Sequence, residues 1–169
     1  LVRSRGLGDV YKRQPQNSTA LDFAFSLHTD IGSHCIGAKV NHKLVPLSHK
    51  LQSGDQVEIL TSKSQRVQPQ WEVFATTARA RAKIAAILRK ERKANQKIGE
   101  EILSEFLKKE EVRPEEAAIE KLRKLHNAKN EEELLAAIGS KAIVLGEADK
   151  NELKEKQTSN WKKYLTFSF

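Results

Sequence analysis

One stretch, residues 19–64, constrains this chain more than any other, because its hydrophobic period changes partway along it. In TALDFAFSLHTDIG the apolar residues Leu21, Phe25 and Leu27, with Ala20, Ala24 and Phe23, recur at helical spacing. Ser18 or Thr19 supplies an N-cap, and Asp22 in the first turn suits the positive end of the helix dipole. The expected helix covers residues 20–30 and is stopped by Gly32. Beyond it the pattern is that of extended chain. Cys35–Val40 reads as a strand, Asn41–Lys43 as a turn, and Leu44-Val45 as a returning strand ahead of Pro46. Residues 47–51 form a short connector and Ser53-Gly54-Asp55 a tight turn. Gln56–Thr61 then alternates, with Val57 and Ile59 on one face.

Helix, strand, turn, strand, Gly-Asp turn, strand is the back half of a small β-grasp. ALDFAFSLHTDIG, CIGAKVN, LVPL and GDQVEILTSK are followed by ATTARARAKI, an order and spacing that closely resembles long-form RelA/SpoT (Rel) proteins. Members of that family make, and in bifunctional cases degrade, the guanosine tetra- and pentaphosphate alarmones. The resemblance covers residues 18 to about 150. It implies a TGS domain, a ubiquitin-like β-grasp, over residues 18–64, and a helical domain over residues 65–150. TGS domains also occur in threonyl-tRNA synthetases and some GTPases, but the TTARARAKI sequel is Rel-like. The expected class is therefore α+β, a truncated β-grasp followed by an all-α domain.

Residues 1–17 fit this scheme less well. A β-grasp opens with a hairpin whose first strand is central in the sheet. LVRSRGLGDVYKRQPQN offers one Gly-Asp turn but little apolar alternation. It reads either as a non-matching leader, the reading preferred here, or as a degraded hairpin. Without a central strand the sheet is left with unpaired edges. No methionine occurs, even at position 1, so the expectation is a fragment.

Ser62–Gln70 reads as a polar linker, with Trp71-Glu72-Val73-Phe74 packing it onto the next domain. A helical pattern runs from about Thr76 to Lys109, its apolar arc made of Ile84, Ile87, Leu88, Ile98, Ile102 and Phe106. Glu91 and Asn95 interrupt the arc, and a break is expected near them. A helix restarts at Val112–Glu115 with Pro114 in its first turn and runs to about Leu125. Asn130–Ile138 forms another, stopped by Gly139. After Gly146 the composition reads as a linker, and residues 151–169 as its run towards a missing C-terminal domain. The closing aromatics, Trp161 to Phe169, suggest an element that continues further.

Charge is unevenly placed. Between positions 79 and 97 there are eight basic residues and one acidic one, seven of the net +8 of the whole chain. Arg79, Lys83, Lys90, Lys93 and Lys97 lie almost in line opposite the apolar arc. Read plainly this is a solvated basic face. The scarcity of acidic i,i+4 partners makes it equally the footprint of a phosphate-backbone binder.

No catalytic constellation emerges. The histidines His28, His34, His42, His49 and His126 stand apart from one another at no metal-ligand spacing, and no phosphate-binding glycine loop or nucleophile elbow occurs. Cys35 reads as a packed core residue. No catalytic residue, metal or cofactor is expected, and no eighteen-residue apolar run suggests a membrane span. One cysteine and no secretory signal fit a cytoplasmic setting. Taken alone, His28 is a polar residue at a helix end. By resemblance it matches the TGS histidine that approaches the CCA end of deacylated tRNA on the ribosome, where an imidazole can stack on an unstacked base. The resemblance thus implies deacylated tRNA, the ribosome and the catalytic domains of the parent chain as partners, with the chain itself inert. Acyl carrier protein, an acidic partner, is the alternative, and a synthetase or GTPase appendage a third reading.

Overall fold

The computed structural model describes the backbone of Val2–Ser4, Val10–Lys12 and residues 15–162, with side chains from residue 15 to residue 154. It divides into two compact units, residues 1–89 and 90–169. Expectations for the side chains of the closing aromatics lie outside the described residues.

The first unit is built on β1 (Val2–Ser4), β2 (Val10–Lys12), α1 (Ala20–Leu27), α2 (Thr29–Ser33), β3 (Cys35–Val40), β4 (Lys43–Val45) and β5 (Gln56–Thr61). The sheet order is β2-β1-β5-β3-β4. β1 pairs parallel with β5 and antiparallel with β2, so an opening hairpin is present where a leader was the preferred reading. Its first strand is an interior strand, lying between β2 and β5. The register of β3 against β5 sets Ala38 opposite Ile59 and Val40 opposite Val57, with a bulge between Cys35 and Gly37.

α1 is apolar nearly all round because it is buried on two sides. Ala20 and Phe23 pack with Ala38, Val40, Leu51 and Val57 from the sheet side. Leu21, Ala24 and Phe25 pack with Val67, Trp71, Ala75, Ala80 and Ile84. Phe23 and Phe25 are wholly buried, each worth about 1.5–3 kcal/mol as an upper estimate. Trp71, at the start of α3 (Trp71–Phe74), is buried in the same cluster as Leu21, Ala24 and Phe25 of α1 and as Ala80 and Ile84 further along the chain.

The helix also ends sooner than its period suggests. His28 is extended (φ −160°, ψ 148°), closing α1 and opening α2. Gly32 is not the stop; it lies buried inside α2, where a Cβ would stand 2.4 Å from the Phe25 ring.

α4 (Ala78–Lys109) begins in the first unit and runs 32 residues without the expected break. Glu91 is exposed and Asn95 only half-buried, so neither polar side chain is forced into a core. In the second unit follow α5 (Glu116–Leu125), α6 (Glu131–Gly139) and α7 (Glu147–Lys162). Their core is Leu103, Leu107, Ala118, Leu122, Ala128, Leu134, Ile138 and Leu153. Ile98, counted in the apolar arc, is 46% exposed; the buried face is set by Leu103 and Leu107 instead.

α4 and α6 cross at backbone contact. A Cβ on Gly99 would fall 1.9 Å from the Leu135 carbonyl oxygen, and one on Gly139 would fall 1.8 Å from that of Asn95. Gly139, where α6 ends as expected, is thus also a crossing residue, and the left-handed residue after the helix is Lys141 (φ 63°). α4 and α5 end in Schellman turns, with Glu111 (φ 56°) and Asn127 (φ 54°) left-handed. The Val112 amide donates to Leu107 and that of Ala128 to Arg123. α7 replaces the linker expected after Gly146, since Leu153 and Asp149 are buried against the rest of the unit. Among the described residues no helix is long and apolar enough to cross a membrane.

Candidate nucleic-acid interface

His28 stands exposed at the elbow between α1 and α2. Its Nδ1 accepts the Asp30 amide at 3.1 Å, capping α2. A neutral ring with Nδ1 accepting carries its proton on Nε2, so Nε2 is a donor. Read as one continuous helix, residues 28 and 30 point apart; the extended backbone at His28 brings its ring back onto the Asp30 amide. His34 closes the same elbow, with Nδ1 2.9 Å from the Asp30 carbonyl oxygen and 3.3 Å from its Oδ1.

At the opposite, N-terminal end of α1 lies a polar device that sequence reasoning missed. Asp22 is 2% exposed. Its carboxylate closes a capping box with Thr19, accepting that amide at 2.8 Å. It also accepts the amides of Thr76 at 3.1 Å and Thr77 at 3.0 Å, and their hydroxyls at 2.7 Å and 2.9 Å. Thr77 in turn caps α4, its hydroxyl accepting the Ala80 amide at 3.2 Å. One buried carboxylate thus serves the N-termini of α1 and α4, where helix dipoles favour negative charge. Burial alone would push the Asp22 carboxyl up. The donated bonds from Thr19, Thr77 and Thr76 outweigh it and hold the group below its ordinary range. The available signal was the Thr-Thr pair ahead of a long helical run, which reads as a cap lacking its partner.

The basic residues divide. Lys83 is half-buried and its Nζ donates to the Phe25 carbonyl at 3.0 Å, on the last turn of α1. Arg79 is exposed one turn before it. In the second unit Lys90, Lys93 and Lys97 are exposed at helical spacing, and among the described residues none of the three enters an ion pair. Lys83 therefore has an intramolecular role that the other members of the row lack.

The remaining chemistry-bearing groups are structural. Cys35 is wholly buried, and burial pushes its thiol up to about 11. His126 Nε2 meets the buried Asp149 Oδ1 at 2.6 Å, while Asp149 Oδ2 accepts the Gly146 amide at 2.8 Å. That contact joins the C-terminus of α5 to the first turn of α7. Among the described residues no group of three or more His, Cys, Asp or Glu side chains is arranged to hold a metal ion.

A β-grasp sheet with a capped TT-helix sequel defines a TGS unit followed by a helical one, and comparison with known proteins agrees. Residues 8–61 match the TGS domain and residues 86–146 the RelA/SpoT AH domain. The chain carries the TGS and AH domains of the RelA/SpoT family. It is 41% identical over 130 residues to a guanosine-3′,5′-bis(diphosphate) 3′-pyrophosphohydrolase of Aquifex aeolicus, covering 76% of this chain and 18% of that protein. A GTP pyrophosphokinase of Photobacterium angustum is 43% identical over 138 residues (79% and 18%). That of Escherichia coli K12 is 40% identical over 145 residues (83% and 19%). The chain thus spans less than a fifth of the length of the curated relatives it matches.

Proposed function

We propose that this chain is an RNA-sensing regulatory segment of an enzyme that makes or breaks guanosine tetra- and pentaphosphate on the ribosome. In this reading His28 meets the free 3′ end of deacylated tRNA, and Lys90, Lys93 and Lys97 meet phosphate backbone of tRNA or ribosome. Catalytic domains elsewhere in the parent chain receive the signal. The observation that carries the reading is the exposed imidazole of His28, its Nδ1 committed to Asp30 and its Nε2 a donor. A ring so fixed offers a face for stacking and one directed N–H, which suits a single-stranded end.

The test uses deacylated and aminoacylated tRNA. His28→Ala should cost about 1–3 kcal/mol, roughly 5- to 150-fold in affinity, with the loss falling on the free 3′ end. Charge reversal at Lys90 and Lys93 should weaken both tRNAs alike and flatten the log–log salt dependence by roughly 0.7–0.9 per lost phosphate contact. The chain alone should show no turnover of ATP with GDP or GTP, nor of the tetraphosphate with manganese.

A second reading rests on another surface. Leu44 is 72% and Ile36 52% exposed, close to Lys39 and Lys43 on β3 and β4. An apolar edge with basic flanks suits an acidic protein such as acyl carrier protein. Tight binding of that protein, equal affinity for both tRNAs and a silent His28→Ala would replace the first reading by this one.

A further inference from the structure

The bond from Lys83 to the Phe25 carbonyl separates this lysine from the rest of the basic row. α1 ends at Leu27, so the Phe25 carbonyl is among the acceptors that a helix end leaves without an intrahelical donor. A cation there also meets the negative end of the helix dipole. His28 follows directly: its amide donates to Ala24 at 3.3 Å, and its extended backbone turns the chain into α2. The Lys83 stem leaves α4 beside Ile84, which is wholly buried in the cluster containing Phe25. The start of α4 is itself fixed by Asp22 through Thr76 and Thr77. Gly32 packs against the Phe25 ring from α2. The residue carrying the imidazole is thus gripped on the α1 side through Phe25 and on the α2 side through Asp30 and Gly32.

We propose that Lys83 is a positioning residue for His28, holding the last turn of α1 so that the imidazole leaves the elbow in one direction, and that it is not a phosphate contact. This rests on the reading of His28 as the group that meets an RNA end. It goes beyond that reading by assigning the lysine to the protein's own backbone.

The test combines Lys83→Met, which keeps the stem and removes the ammonium, with Lys83→Arg, which keeps a cation at the helix end. In the free protein, Lys83→Met should shift the His28 ring signals in NMR spectra. It should also speed hydrogen exchange at the His28 and Asp30 amides, with β3 and β5 amides unchanged. Lys83→Arg should restore both. Binding is measured to an RNA hairpin ending in single-stranded CCA. Lys83→Met should weaken it by roughly 2- to 5-fold, the loss expected for one helix-end charge, with no change in salt slope. The double variant with His28→Ala should bind no worse than His28→Ala alone. A slope lowered by roughly 0.7–0.9 with additive losses overturns the proposal in favour of a phosphate contact. Unmoved ring signals and amides in the free protein overturn it too. Should His28→Ala prove silent toward RNA, the functional reading falls, and the free-protein signals alone decide the inference: moved they support it, unmoved they overturn it.

Discussion

Replacing Asp22 by Asn keeps the shape of the side chain and removes one acceptor oxygen together with the charge. The carboxylate receives three backbone amides, from Thr19, Thr76 and Thr77, and three threonine hydroxyls. Hydroxyls rotate and can accept from the new amide; backbone N–H groups cannot. If the nitrogen takes the place of Oδ1, the Thr77 amide loses its acceptor, since that of Thr76 is shared with Oδ2. If it takes the place of Oδ2, the Thr19 amide is stranded. One stranded donor costs about 1–3 kcal/mol, and losing the ionic character of the other bonds adds about 1 kcal/mol. The expected loss is about 2–4 kcal/mol, a large part of the stability of a small unit. Urea unfolding followed by Trp71 fluorescence in a Trp161→Phe background reads the first unit, because Trp71 is 2% exposed within it. With a slope near 2 kcal/mol/M the midpoint should fall by about 1–2 M. The pH dependence follows from the depressed carboxyl of Asp22. Its folded pKa lies below the unfolded value of about 3.9. The contribution is therefore complete above that value and is lost as pH falls through the folded pKa. The stability difference between wild type and Asp22→Asn should be flat at neutral pH and shrink in that acid window. A midpoint within 0.2 M of wild type, or a difference that grows with acid, would refute the account.

Gly99→Ala should destabilise the second unit by about 1–3 kcal/mol or more, because the new Cβ meets the Leu135 backbone oxygen and not a movable side chain. Circular dichroism melts check this, and a neutral result would remove the backbone crossing of α4 and α6. Cys35, buried with its thiol pushed up to about 11, should react with a disulfide reagent only as fast as the protein opens; prompt stoichiometric labelling of the native chain contradicts that. His126→Ala should cost about 1–3 kcal/mol, since it leaves the buried Asp149 with the Gly146 amide but without its 2.6 Å partner. The loss should appear as faster hydrogen exchange in the first turn of α7, and unchanged exchange there would discount the clamp.

Local pattern was enough for much of this fold. The period change after residue 30 placed β3, β4 and β5, and the apolar spacing placed α4, α5 and α6, because each element answers to residues a few positions apart. The chain order of the signature segments carried the family, and charge counting found the exposed lysines of α4. What local pattern missed depends on partners far along the chain. β1 and β2 have little alternation of their own and gain strand structure by pairing, β1 with β5 more than fifty residues away. α7 reads as linker until Asp149 and Leu153 find their burial sites. Gly32, read as a stop, lies inside α2, and both it and Gly139, where α6 does end, are sites of close approach, which only a neighbouring ring or backbone reveals. Lys83 looks like its neighbours in the basic row, and Asp22 like an ordinary first-turn acid. Tertiary structure set one on a helix-end carbonyl and the other under two helix N-termini, because a buried polar group must find its partner wherever the fold brings one.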